Sequence, residues 1–240
     1  MQLIKENIHA VIFDYGGTLD TDGRHWAHVI WEGYRHNTVP VSEEDFRTAY
    51  VHGERTLAKQ PIIKPEDNFL VLLQKKTDIQ LRYLAEQNIL SLSAAEQSRL
   101  TDGISTYCYD YALRHVTIAR EVLTTLKEKY RLVLVSNFYG NIHTILRDFR
   151  IDLFESIIES AVVGVRKPDP AIYRMGVAAT GYPAEQVVVI GDSFSKDIVP
   201  ATEVGCPTIQ IKGEGWTQSE NNHQGATHTI ETLREVLRYL

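Results

Sequence analysis

The 240-residue sequence has few cysteines, no concentration of basic residues and no long apolar run. Its two cysteines, Cys108 and Cys206, belong to no Cys-x-x-Cys or Cys/His group, so neither a disulfide framework nor a zinc site is indicated. Lys and Arg are scattered along a chain of net charge -6, which excludes the basic stripe typical of nucleic-acid-binding proteins. No apolar run approaches membrane-spanning length, and the first residues lack the plan of a signal peptide. These absences predict a cytoplasmic, soluble protein without nucleic-acid or membrane partners.

What the sequence does contain is a series of short, continuously apolar runs. They are Ala10–Phe13, Leu132–Val135, Ser156–Ile158, Val187–Ile190 and Thr208–Ile211. Continuous rather than alternating apolarity is typical of parallel strands that are covered on both faces. Helical patterns accompany the later runs, at Thr117–Lys129, Pro170–Thr180 and Thr229–Leu240. The alternation of strand and helix predicts an α/β fold with a doubly wound, Rossmann-like parallel sheet.

The segment between the first two apolar runs breaks this alternation. Residues 22–114 contain no convincing strand and four helical patterns, two of them preceded by capping motifs at Ser42 and Ser93. The sequence therefore predicts an α/β core domain of residues 1–21 and 115–240 with an inserted helical domain, the cap, of residues 22–114. An insertion at this point lies beside the end of the first strand, where it would cover a site as a lid.

Polar residues follow the first four predicted strands in chain order. They are Asp14, then Ser136 and Asn137, then Lys167, and finally Asp192 with Asp197. Each has a structural explanation when taken alone, such as a turn or a helix cap. Together they meet at one place, because the carboxyl ends of parallel strands share one edge of the sheet. Carboxylates suit Mg²⁺, and lysine and serine suit a phosphoryl group, so the pattern predicts a site for both.

The same residues resemble the four motifs of the haloacid dehalogenase-like hydrolase superfamily. The motifs are Asp14 to Thr18, Ser136, Lys167 with its Pro-Asp-Pro, and Gly191 to Asp197, and the helical insertion resembles the family's C1-type cap. The resemblance implies a Mg²⁺-dependent phosphatase in which Asp14 attacks the phosphorus of a small phosphorylated metabolite and forms an aspartyl-phosphate. It also implies that Mg²⁺ binds the Asp14 carboxylate, the Gly16 carbonyl oxygen and Asp192.

The resemblance assigns roles to the remaining motif residues as well. Ser136 and Lys167 would contact the phosphoryl oxygens and offset their charge. Asp197 would orient Lys167 or a metal-bound water, as a further catalytic group. Gly17 and Asn137 complete the substrate-binding set that the family pattern implies.

The sequence departs from the family at Gly16. Typical phosphatases of this family have a second aspartate here, which protonates the leaving group and then activates water. Such assistance is worth about 10²–10⁴-fold, so either a good leaving group or a cap residue must compensate. The cap histidines, which titrate near neutral pH, are candidates: His25, His28, His36 and His52.

Three alternatives remain open on this evidence. A 2-haloacid dehalogenase needs no proton donor because halide leaves unprotonated, although such enzymes work without metal and the pair Asp192/Asp197 argues against one. A phosphonatase would use a cap lysine as a Schiff base. A catalytically impaired protein would bind a phosphorylated metabolite without turnover. Substrate identity and oligomeric state are also left open by the sequence.

Overall fold

One parallel sheet forms the centre of the protein in the computed structural model, which describes residues 7–215 and 225–240. Its strands are β1 (Ala10–Phe13), β2 (Arg131–Ser136), β3 (Ser156–Glu159), β4 (Val187–Gly191), β5 (Thr208–Ile211) and β6 (His228–Ile230). They lie in the order β3-β2-β1-β4-β5-β6, and every neighbouring pair is parallel. The strands β1 and β4 are buried throughout. The predicted doubly wound α/β fold is confirmed.

The central position of β1 determines where the polar strand ends meet. Phe13 of β1 lies beside Leu134 of β2 and Ile190 of β4 in the register of the sheet. Because the three strands run in the same direction, the residues that follow them emerge at one edge. Asp14 and Asp192 therefore reach the same side of the sheet.

Four helices follow β1, as the sequence predicts. They are α1 (Trp26–His36), α2 (Glu43–Lys59), α3 (Phe69–Glu86) and α4 (Ala94–Lys127). The capping box predicted at Ser93 is confirmed, since its side chain accepts from the Glu96 amide and the Glu96 carboxylate accepts from the Ser93 amide. We call α1 to α4 the cap helices.

The helical pattern predicted at Thr117–Lys129 is helical as far as Lys127, but it is the last part of a longer helix and not a separate one. The helix α4 runs unbroken over 34 residues from Ala94 to Lys127. Its buried residues continue from Leu100 to Leu126, and no Gly or Pro lies near residue 114 to end the helix. The predicted boundary between residues 114 and 115 thus falls inside one helix. The division into two domains stays a prediction.

Shorter helices cover the later strands. They are α5 (Ile142–Asp148), α6 (Ser160–Val163), α7 (Ala171–Thr180) and α8 (Val199–Val204). The helix α7 begins just after Pro170, where the Asp169 carboxylate accepts from the Ala171 amide at 2.9 Å. It ends at Gly181, whose φ of 74° is the left-handed value that favours glycine.

The terminal helix predicted at Thr229–Leu240 is wrong. The chain forms the strand β6 and then a 3₁₀ helix over Leu233–Arg238. Ile230 of β6 lies beside Ile211, so the segment pairs with an edge of β5 that would otherwise lack a partner strand. None of the described helices combines the length and the apolarity needed to cross a membrane. The cytoplasmic location stays a prediction.

Candidate active site

A cavity of about 1090 Å³ lies between the carboxyl edge of the sheet and the cap helices. All eight site residues that the sequence predicts line it: Asp14, Gly16, Gly17, Ser136, Asn137, Lys167, Asp192 and Asp197. The structure therefore brings together residues from β1, β2, β4 and the segment between α6 and α7. Their catalytic and binding roles stay predictions.

The Lys167 ammonium joins two carboxylates at the base of this cavity. Its Nζ lies 2.5 Å from Asp14 Oδ1 and 2.8 Å from Asp197 Oδ1. The Tyr173 hydroxyl also donates to Asp197 Oδ1 at 2.8 Å, and the Ser193 amide donates to Asp197 Oδ2 at 3.0 Å. Asp197 thus holds both Lys167 and the turn after β4.

The same contacts set the protonation of the buried groups. Burial raises the pKa of Asp14 to about 6, with a further rise from the Asp197 charge, although Lys167 opposes both effects. Burial would lower the pKa of Lys167, but the charges of Asp14 and Asp197 outweigh it and the pKa is raised. Lys167 is therefore a permanent cation beside Asp14 at neutral pH.

Asp14 and Asp192 approach each other on the side away from Lys167. The Thr18 hydroxyl lies 3.2 Å from both Asp14 Oδ2 and Asp192 Oδ1. Carboxylate oxygens of Asp14, Asp192 and Asp197 come within 4.8 Å of one another. The pKa of Asp192 is raised well above its usual value, first by burial and then by the charges of Asp197 and Asp14.

This crowding of acids fits a hard divalent cation, which prefers carboxylate oxygens and offsets their mutual repulsion. The absence of a side chain at Gly17 lets the Asp192 carboxylate lie close to the turn after β1. The φ of Gly17 is +99°, and a Cβ at this position would lie 2.5 Å from Asp192 Oδ2. The Gly17 amide donates to Asp20 Oδ1 at 2.8 Å.

Asn137 and Ser136 have different surroundings. The Asn137 side chain uses both ends of its amide on the main chain of Lys167, donating to the carbonyl at 3.0 Å and accepting from the amide at 2.9 Å. It thereby ties the end of β2 to the loop that presents the lysine. The Ser136 side chain is buried and borders the cavity.

Gly16 is exposed, and a Cβ there would meet nothing within 4 Å. The space in which a second acid would stand is open to the cavity. Asp20, which sequence reasoning missed, lines the cavity nearby and accepts from the Gly17 amide and from Trp26 Nε1. Burial raises the pKa of Asp20 to about 7. The signal available in the sequence was its place three residues after Gly17.

The four cap histidines differ in their distance from the cavity, and His25 is the one that lines it. His25 lines the cavity, and its Nδ1 accepts from the Ala27 amide at 3.2 Å, so that nitrogen is unprotonated. His28 Nε2 lies 3.1 Å from the Gly215 carbonyl oxygen. His36 and His52 pack against tyrosine rings and do not line the cavity. Of the four, His25 alone borders the candidate site.

Comparisons with known proteins agree with this geometry. The model of the family described as haloacid dehalogenase-like hydrolase matches residues 8–205. The glyceraldehyde 3-phosphate phosphatase of Pyrococcus abyssi is 33% identical over 132 residues, which are 53% of this chain and 56% of that protein. The chain thus spans about half the length of this curated relative.

Solved structures share the fold over nearly the whole chain. A dehalogenase solved as an intermediate complex has a TM-score of 0.66 at 19% identity, covering 98% of this chain and 97% of that one. The magnesium-bound HAD-hydrolase YfnB of Bacillus subtilis has a TM-score of 0.61 at 15% identity, covering 97% and 98%. The family match over residues 8–205 and the strand-end geometry lead to one conclusion: this chain belongs to the haloacid dehalogenase-like hydrolase family.

Proposed function

We propose that this protein is a Mg²⁺-dependent phosphatase that hydrolyses a small phosphorylated metabolite through an aspartyl-phosphate on Asp14. The main support is the position of Asp14, which directly follows β1. Its carboxylate lines the cavity and lies 2.5 Å from the Lys167 ammonium. Similar proteins named as phosphatases of glyceraldehyde 3-phosphate, phosphoserine and phosphoglycolate support the reaction class.

The chain's own residues supply most of the chemistry. The ionised Asp14 attacks phosphorus, and the bond from phosphorus to the leaving oxygen breaks with its electron pair on that oxygen. Water then attacks phosphorus and gives up a proton, which balances the proton taken up by the released oxygen anion; the bond from phosphorus to Asp14 breaks with its electron pair on the carboxylate, and inorganic phosphate leaves. Lys167 offsets the negative charge of nucleophile and phosphate, and Ser136 donates to a phosphoryl oxygen. Asp197 holds Lys167 in place.

The residues that would hold Mg²⁺ are Asp14, Asp192 and the carbonyl oxygen of Gly16. The ion supplies positive charge that offsets the repulsion between an anionic nucleophile and an anionic phosphoryl group. The crowding of the Asp14, Asp192 and Asp197 carboxylates within 4.8 Å supports this assignment.

Gly16 gives the leaving oxygen no proton donor at its position. We therefore expect aryl phosphates, whose leaving groups are stable as anions, to react readily. The test is hydrolysis of an aryl phosphate with and without Mg²⁺, with Asp14→Asn as the inactive control. The proposal predicts Mg²⁺-dependent turnover that falls by at least about 10³-fold in the variant. Equal rates in the two proteins would contradict it.

The remaining alternatives have distinct readouts. A phosphonatase needs an uncharged cap lysine, and of the two cap lysines that line the cavity, Lys59 and Lys76, Lys76 is ion-paired to Glu54 and its pKa is raised well above its usual value. Halide release from a 2-haloacid, without metal, would identify a dehalogenase. Phosphate binding without turnover or phosphoenzyme would identify an impaired, ligand-binding protein.

A further inference from the structure

The cavity has a second group of polar residues, outside the strand-end motifs. Glu54 of α2, Lys76 of α3 and Tyr139 of the loop after β2 all line it. We call these three residues the cap subsite. None of them belongs to the motifs that place Asp14, and none has a part in the phosphoryl-transfer steps above.

The cap subsite is a charged pair held by a hydroxyl. Lys76 Nζ lies 2.7 Å from Glu54 Oε1, and the Tyr139 hydroxyl donates to Glu54 Oε2 at 2.9 Å. The same ammonium lies 5.3 Å from the centre of the Tyr139 ring. The Lys76 side chain is 9% exposed and that of Glu54 is 34% exposed. A buried ammonium such as that of Lys76 is costly unless it is paired, and here the Glu54 carboxylate cancels its charge.

Both groups keep their charge at neutral pH. Burial would raise the pKa of Glu54, but the charge of Lys76 and the hydrogen bonds of Lys76 and Tyr139 outweigh it, and the pKa is lowered. Burial would lower the pKa of Lys76, but the Glu54 charge outweighs it and the pKa is raised. The subsite is therefore an ion pair with no net charge.

The pair still has unused hydrogen-bonding capacity. An ammonium has three N–H donors, and the Lys76 nitrogen directs one to Glu54 and one to the Tyr139 hydroxyl, which leaves a third. Glu54 Oε1 is enclosed by the protein, whereas Oε2 accepts one hydrogen bond, from the Tyr139 hydroxyl, and a carboxylate oxygen can accept two. The subsite thus offers one donor and one acceptor side by side.

A hydroxyl group matches this arrangement, because it accepts from the ammonium and donates to the carboxylate. A carboxylate does not match, since it donates nothing and brings an uncancelled negative charge next to Glu54. Other cations border the cavity, at Arg55, Lys59, Arg166 and Lys196. These are exposed, so water and salt screen them, and they attract any phosphate without selecting its organic part.

We propose that the cap subsite binds a hydroxyl of the substrate's organic part, so that the substrate is a phosphate ester of an uncharged, hydroxylated molecule rather than of a carboxylic acid. This inference rests on the proposed phosphatase function. The inference distinguishes two classes of phosphorylated substrate by the group they carry away from the phosphate, a hydroxyl or a carboxylate.

The test compares kcat/KM for three substrates in Mg²⁺: a pentose 5-phosphate, phosphoglycolate and an aryl phosphate. We expect the wild-type protein to favour the pentose phosphate over phosphoglycolate by at least about tenfold, the effect of one hydrogen bond to a charged group. Lys76→Met should lower the pentose phosphate value relative to the aryl phosphate by about 10–100-fold.

Glu54→Gln keeps the shape of the side chain and leaves the Lys76 charge unbalanced. We expect it to move the preference toward phosphoglycolate by about tenfold or more, which also tests the inference should Lys76→Met fail to fold. The matched control is Lys75→Met, since Lys75 neighbours Lys76 on α3 but pairs with Asp67 and does not line the cavity. It should leave both ratios unchanged.

The outcomes are separable. Suppose that the wild-type protein hydrolyses the aryl phosphate. A preference for phosphoglycolate then overturns the inference but not the proposed function, and so do substrate ratios that Lys76→Met and Glu54→Gln leave unchanged. Equal changes in Lys76→Met and Lys75→Met also overturn it. Absence of Mg²⁺-dependent aryl phosphate turnover overturns the proposed function and the inference together.

Discussion

Gly16 and Gly17 are neighbours in the chain but have opposite surroundings. At Gly17 the backbone has a φ of +99°, and a Cβ would overlap the Asp192 carboxylate. At Gly16 a Cβ would meet nothing within 4 Å. Gly16 thus has room for a side chain. Gly17 does not, because the turn after β1 lies against the Asp192 carboxylate, which follows β4.

We predict that Gly17→Ala destabilises the protein by about 1–3 kcal/mol, because a positive φ and a displaced Asp192 act together. Activity toward an aryl phosphate should fall by about 10²-fold, since the carboxylates of the site move apart. Urea unfolding and initial rates measure the two effects. Gly16→Ala is the matched control and should change stability by less than about 0.5 kcal/mol. Equal losses in both variants would contradict the prediction.

At the scale of elements, α4 decides how the cap helices are attached to the sheet. The helix packs against α1 and α3, as at Ile104 beside Gly33 and at Gln97 beside Asp78, and against β2 and the 3₁₀ helix at Leu233–Arg238, where Glu121 pairs with Arg234. A single rigid element therefore belongs to both layers. The sequence pattern suggested a new helix at Thr117, yet this exposed residue lies in mid-helix and its hydroxyl donates to the Leu113 carbonyl.

Thr117→Pro distinguishes a continuous helix from a new one. Proline is tolerated in the first turn of a helix, but in a helix interior it costs about 3 kcal/mol or more. We predict a loss of at least that size in the free energy of unfolding. Thr117→Ala, the control at the same exposed position, should stay within about 0.5 kcal/mol. A proline variant as stable as the alanine variant would show that α4 is broken at this point.

At the scale of the whole molecule, the acidic cluster couples stability to pH. The folded-state pKa of Asp14 is about 6, above its ordinary value of 3.8. Between these values the unfolded chain loses a proton that the folded protein retains, so rising pH favours unfolding. The difference corresponds to on the order of 3 kcal/mol. This contribution of protonated Asp14 to the free energy of unfolding is fully present at low pH and is lost as the pH rises through about 6.

We predict that the metal-free protein has a lower Tm at about pH 7.5 than at about pH 5.5, and that Mg²⁺ raises Tm more at the higher pH. Asp192→Asn removes one crowded charge, so it should raise the metal-free Tm at the higher pH and reduce the gain from Mg²⁺. Asp152→Asn, at an exposed acid away from the cavity, is the control. Calorimetry with and without Mg²⁺ measures both, and a Mg²⁺ effect that Asp192→Asn leaves unchanged would contradict the prediction.

Local sequence was sufficient for the parts of the fold that depend on nearby residues. The apolar runs predicted β1 to β5, and the capping box at Ser93 predicted the start of α4. It was not sufficient for β6, whose three residues are a strand because β5 offers an open edge. Nor did it predict that the Asn137 amide would be used on the Lys167 backbone, since the two residues meet only through the sheet.

The sequence by itself determined the class of fold and the set of polar strand ends. Burial selects continuous apolar runs, and parallel strands must bring their carboxyl ends to one edge. Only the tertiary structure decided the partner of β5 and the pairing of Glu54, Lys76 and Tyr139. These features join elements that are distant in the chain, so they depend on which surfaces packing brings into contact, and no local pattern encodes that.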